Sequence, residues 1–193
     1  MSDTIVAMKL VGIAGTNGSG KDTVGQLLAD KHGYLFVSVT EMLRDECRAR
    51  GLPVERENLR MISAEWRREG GLGVLIDKAV AVFQRQDGNY SGVAVASLRN
   101  PGENNRVHEL GGVVYWVDAD PRLRYARIQS ANRGRGSEDS KTYKQFLAEE
   151  AAEMQQSGDA ATLNMTAVKA KCDITILNED GPTSLERKIA SIL

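Results

Sequence analysis

The chain has 193 residues, of which 41% are apolar and 26% charged, enough for one cored domain. Its 25 basic residues meet 26 acidic ones, and the formal net charge of -1 excludes a protein that coats nucleic acid or binds an anionic membrane through bulk charge. The two cysteines, Cys47 and Cys172, are far apart and read as reduced thiols of a cytoplasmic protein, and no apolar stretch approaches membrane-spanning length.

Strand-like and helix-like segments then alternate. The opening MSDTIVAMKLVGIAG has no basic leader and Lys9 interrupts it, so a signal peptide is not expected and residues 1–7 read as a tail. KLVGIAG from Lys9, YLFVSV from Tyr34, GVAVAS from Gly92, GGVVYWVDA from Gly111 and DITILN from Asp173 are short, β-branched and nearly continuous. Strands covered on both faces read this way. Residues 22–31, 41–50, 55–68, 121–130 and 142–156 carry helical patterns, with a further helix at the end of the chain. The alternation predicts an α/β domain with a five-stranded parallel sheet, spanning residues 1–193. Asn100-Pro101-Gly102 predicts a turn that presents Arg99 at a strand end. The polar stretch NRGRGSEDSK, 132–141, reads as a solvated loop or as a short lid that closes over substrate.

The most specific signal is GIAGTNGSGKDT, residues 12–23. Gly15, Gly20 and Lys21 satisfy G-x-x-x-x-G-K, between an apolar strand and a helix, which is the arrangement a phosphate-binding loop needs. Small residues (Gly15, Thr16, Asn17, Gly18, Ser19, Gly20) let backbone N–H groups approach phosphate oxygens, while Lys21 reaches the outer phosphates. Asp22 stands where such loops usually carry Ser or Thr. A carboxylate is a hard ligand for Mg²⁺, and it is also favoured by the dipole in a helix's first turn; both readings stay open. Thr23 is the candidate for an inner phosphate.

GSGKDT resembles the loops of nucleoside and deoxynucleoside monophosphate kinases and, similarly, of dephospho-CoA kinases. The resemblance implies the P-loop kinase fold, with ATP as donor, Mg²⁺, an acceptor-binding helical region near 40–85 and a short lid near 130–141. VSVTEMLRDE resembles the family segment that grips the acceptor phosphate, which places Thr40, Glu41 and Arg44 at that site, with Thr40 in place of a glycine and Glu41 in place of an aspartate. In VASLRNPGE, Arg99 matches a second acceptor-binding arginine, although Ala96 and Ser97 stand where the family has an aspartate that contacts metal-bound water. Arg60, Arg67 and Arg68 on the intervening helix are further candidates for the acceptor pocket. In LRYARI, Leu123, Arg127 and Ile128 match the helix that leads to the lid, and Arg127 is expected at the ATP base or phosphates. Arg133 and Arg135 are expected to reach the transferring phosphoryl group on closure, and Asn178 and Gly181 to lie near the donor base.

The resemblance thus implies a cytoplasmic kinase, monomeric or homodimeric, that moves the γ-phosphate of Mg·ATP to a nucleoside or deoxynucleoside monophosphate, with small nucleotides as partners and neither nucleic acid nor membrane. Lys21, Arg99, Arg133 and Arg135 are its expected catalytic residues. Dephospho-CoA kinase is the alternative, with Glu41 as a general base beside Thr40, and an ATP-binding regulatory module is a reading of another class. The N-K-x-D signature of guanine-specific switches is absent from the sequence.

Overall fold

A computed structural model describes residues 8–130, 141–155 and 158–193. In chain order these form β1 (Lys9–Gly15), α1 (Lys21–His32), β2 (Tyr34–Ser38), α2 (Val39–Ala49), α3 (Arg56–Gly70), α4 (Val74–Gln84), β3 (Gly92–Leu98), α5 (Pro101–Glu109), β4 (Val113–Asp118), α6 (Pro121–Ser130), α7 (Tyr143–Met154), α8 (Met165–Ala170), β5 (Ile174–Leu177) and α9 (Pro182–Ala190). The five strands make one parallel sheet in the order β2-β3-β1-β4-β5. The chain winds from β1 out to β2 and β3 on one side and then crosses to β4 and β5 on the other. Every strand therefore ends at the same edge, and the loop after β1 emerges at its middle, where open α/β sheets bind ligands.

Helices cover both faces because successive side chains of each strand point to opposite sides. Val93, Val95, Val114 and Trp116 pack with Leu43, Ile62, Leu75, Ile76, Val107 and Val168 from the helices of one face. Val11, Ile13, Ala94, Ala96, Tyr115 and Val117 pack on the other face against Val24 and Leu28 of α1 and Leu185 and Ile189 of α9. Double coverage is the reason the strand sequences are almost uninterrupted apolar runs.

Three helices, α4, α5 and the six-residue α8, were not legible from periodicity. The segment VLIDKAVAVFQ of α4 is apolar on most sides and reads as core without a period. The segment PGENNRVHE of α5 is polar, and its buried set is Glu103, Asn104 and Val107, so it lacks an apolar stripe. Its start corrects the expected turn at 100–102. Asn100 is an N-cap whose side chain accepts from Gly102 N at 2.8 Å, Pro101 occupies the first turn, and Glu103 completes a capping box.

At the end of β3, Ser97 adopts φ 76, the one left-handed non-glycine among the described residues. The β1–β3 register shifts beside it, between Ile13 and Ala14. No helix among the described residues is long and apolar enough to cross a membrane.

Candidate nucleotide and acceptor site

The glycine loop is wedged between the carbonyls of Val117 and Arg124 and the amide of Asn178. A Cβ on Gly18 would stand 2.6 Å from the Arg124 carbonyl oxygen, and one on Gly20 would stand 2.3 Å from Asn178 Nδ2. Both glycines also have positive φ, so close approach and backbone conformation both require glycine there. Gly15, before them, ends β1. Gly20 is the N-cap of α1 and supplies no side-chain cap, so the positive end of the helix and its first-turn N–H groups open onto the loop. Lys21 is buried and folds back, donating from Nζ to the Thr16 carbonyl at 3.0 Å. Thr16 Oγ1 and Ser19 Oγ are buried with no hydrogen-bond partner. Unsatisfied hydroxyls are costly inside a protein, and here they lie in the loop that would receive phosphate oxygens. Asn17 lines the cleft beside the loop.

Asp22 and Thr23 are exposed on the first turn of α1. Among the described residues no group of three His, Cys, Asp or Glu side chains gathers to hold a metal. A lone carboxylate next to a phosphate loop fits Mg²⁺, which commonly takes one or two protein carboxylates and completes its shell from phosphates and water.

Residues behind the loop fix its position. Asn178, just beyond β5, is buried and donates from Nδ2 to the Ser19 carbonyl at 2.8 Å. Arg127 donates from Nη2 to the Asn178 carbonyl at 2.8 Å, and its Nη1 is buried without a partner. The Asn178 amide is thus committed to the loop backbone. Gly181 is the N-cap of α9, at φ 86. Arg124 was not singled out from the sequence, although it lies three residues before Arg127 and therefore near it on the helix surface. It is 2% exposed and donates to the carbonyls of Ala119 (2.8 Å) and Asn17 (3.3 Å). Its guanidinium also makes a two-armed ion pair with Glu150 of α7, one arm at 2.9 Å, and lies over the Phe146 ring.

The residues expected to hold an acceptor lie at the ends of β2 and β3. Thr40, Glu41 and Arg44 lie in the first turns of α2, directly after β2, and Arg44 is ion-paired with Glu41. Arg99 follows β3, and its backbone is held at both ends: its N–H donates to Glu103 Oε2 at 2.7 Å and its carbonyl accepts from Asn164 N at 3.0 Å. The side chain of Arg99 reaches Glu153 Oε2 at 2.9 Å. Arg60 Nη2 lies 2.9 Å and Arg56 Nη1 3.3 Å from the other oxygen of the same carboxylate. Burial pushes the Glu153 carboxyl up, but the charges of Arg99, Arg56 and Arg60 with the Arg99 hydrogen bond outweigh it, and the pKa falls to about 2.

Arg67 does not join this cluster. It is 4% exposed, and its guanidinium is spent on Glu103 Oε1 (2.7 and 3.0 Å), Ser63 Oγ and the Ala161 carbonyl. Since Glu103 also holds the N–H groups of Arg99 and Asn100, Arg67 is a buried brace for the turn that carries Arg99. Arg68 pairs with Asp159 on the surface. Arg133 and Arg135, with the rest of the expected lid at 131–140, lie outside the described residues. Sequence reading also missed Glu149, Glu150 and Glu153, whose spacing places them close together on α7; their basic partners are distant in sequence.

The AAA_18 family model, an AAA domain, matches residues 11–156. The chain is 27% identical over 190 residues to a UPF0200 protein of Pyrococcus horikoshii, covering 94% of each chain. It is 30% identical over 143 residues to a UPF0200 protein of Hyperthermus butylicus, covering 74% of each. Among solved structures, shikimate kinase from Bacteroides thetaiotaomicron matches with a TM-score of 0.63 at 12% identity, over 96% of this chain and 97% of that one. Shikimate kinase from Acinetobacter baumannii, in complex with shikimate, matches with a TM-score of 0.60 at 15% identity, over 100% and 96%. These likenesses show that the chain has the P-loop kinase fold.

Proposed function

The chain belongs to the AAA_18 family of AAA domains and is a UPF0200 protein, and on that premise we propose that it is a phosphotransferase that moves the γ-phosphate of Mg·ATP to a nucleoside or deoxynucleoside monophosphate. One observation carries the acceptor side of this reading. Arg56, Arg60 and Arg99, from two separate elements, converge on a single anionic position, and Arg56 and Asn17 of the glycine loop line the same cleft. A lone anion site would fit a binding protein; an anion site beside a phosphate loop fits transfer between two phosphates.

The proposed division of labour follows from charge and position. The loop amides, Lys21 and Thr23 hold the donor's phosphates. Asp22 would hold Mg²⁺, which when bound neutralises charge on the donor's phosphate oxygens. Arg44 and Arg99, with Arg56 and Arg60, hold the acceptor's phosphate, and transfer then rests on positioning and charge stabilisation. A phosphate acceptor is already nucleophilic and needs no general base. That suits a site where Glu41 is engaged by Arg44.

The test is ADP release from Mg·ATP with a panel of ribo- and deoxynucleoside monophosphates, dephospho-CoA included. Turnover with a monophosphate is expected. Turnover with dephospho-CoA alone, or ATP binding without acceptor-dependent turnover, would contradict the reading.

A further inference from the structure

Glu153 occupies the position that the proposed acceptor's anionic group would need. Its carboxylate takes Arg99 on one oxygen and Arg60 and Arg56 on the other, and it is 10% exposed while the three guanidinium side chains remain 26–49% exposed. The carboxylate thus lies inside, and its basic partners stay within reach of solvent. The same helix carries two further plugs. Glu149 pairs with Arg56 at 3.1 Å and Lys141 at 2.8 Å, and Glu150 clamps Arg124, which touches Asn17 of the glycine loop. Between α7 and the loop, Asn17, Arg56, Phe146, Glu149, Glu150 and Glu153 line a narrow cleft.

The helix is attached in a way that permits release. Its apolar anchors are Tyr143 and Phe146, which pack with Tyr125 of α6, and the partly buried Met154. Leu147, Ala148, Ala151 and Ala152 face solvent. Elements with few buried apolar contacts open at low free energy. The remaining attachments include the ion pairs just described and a hydrogen bond from Thr166 Oγ1 to the Met154 carbonyl, and an anion competing for the same arginines weakens the ion pairs directly.

We propose that α7 is an acidic strap: Glu153 stands in for the acceptor's phosphate in the arginine cluster, and an arriving phosphate displaces it, loosens α7 and releases Arg124 from Glu150 beside the glycine loop. Donor and acceptor sites are thereby coupled, and Arg124 is freed for the donor only when an acceptor anion is in place. The inference rests on the phosphotransferase reading for its purpose, and on the ion pairs alone for its mechanics.

The experiment is hydrogen–deuterium exchange on the full chain during titration with inorganic phosphate. The expected result is a several-fold faster exchange of residues 143–154 as phosphate is added, together with protection around Arg99. Phosphate also suits the glycine loop, so the titration is repeated with Arg60→Gln, which leaves that loop intact; the α7 response should weaken there. Glu153→Gln should show fast α7 exchange without phosphate, and if that variant fails to fold, the wild-type and Arg60→Gln titrations still decide. Unchanged or slower α7 exchange at saturating phosphate would overturn the strap, as would an undiminished response in Arg60→Gln or no protection around Arg99. A failed kinase reading gives a different pattern: no acceptor-dependent ADP, with α7 still loosened by phosphate.

Discussion

Ser97 holds a left-handed backbone at the end of β3, where a side chain costs roughly 1 kcal/mol or more and glycine costs little. Ser97→Gly is therefore expected to raise Tm by a few degrees, measured by thermal unfolding, although glycine usually weakens a strand; a drop would show that the Ser97 side chain compensates for the strain. Lys21→Met is expected to cut phosphoryl transfer by about 10²-fold or more with little change in Tm, in kinetic and melting assays, because the amine's place is to meet charge that develops on the donor. At this scale the glycine loop was legible in the sequence, since Gly15 to Thr23 are contiguous and every requirement is local. The bracing contacts of Arg67 and Asn178 were not legible for the opposite reason. Their partners, Glu103 and Ser19, lie 36 and 159 positions away, and only the fold says which arginine is spent on a brace and which is presented to a ligand.

The elements were legible wherever a periodic apolar face met a continuous strand, and α5 shows where that fails. It is held by a cap and buried polar bonds: Asn100 Nδ2 donates to the carbonyls of Ala160 and Thr162 at 2.8 and 2.7 Å while its oxygen caps the helix. Asn100→Ala is expected to destabilise the fold by about 2–4 kcal/mol in denaturant unfolding, because it removes the cap and both of these part-buried hydrogen bonds. For α7, the sign of the pH dependence is fixed by Glu153. Its pKa falls from the ordinary 4.5 to about 2 on folding. Its charge therefore stabilises the fold fully above pH 4.5, and that contribution is lost as the pH falls through 2. Glu153→Gln should lower stability on the order of 2 kcal/mol at pH 7, with the gap to the wild type closing between pH 4.5 and 2 in urea titrations. A gap that is constant with pH would mean that the carboxylate's charge is not what holds the arginines.

For the whole molecule, five parallel strands bring the glycine loop, α2 and Arg99 to one edge of the sheet, although they are separated by up to 84 positions between Gly15 and Arg99. The order of motifs along the chain made that edge predictable. What it did not reveal is that α7 lays three carboxylates across it, because carboxylates spaced along a helix read as an ordinary solvated face until their partners are known. The central claim is that the two sites exchange a phosphoryl group. It is tested most directly by following the labelled γ-phosphate of Mg·ATP in the presence of nucleoside and deoxynucleoside monophosphates and identifying the labelled product. The account predicts label in a diphosphate, with Arg99→Lys raising the KM for the acceptor and leaving that for ATP nearly unchanged. Label released only as inorganic phosphate, or an acceptor KM indifferent to Arg99, would contradict it.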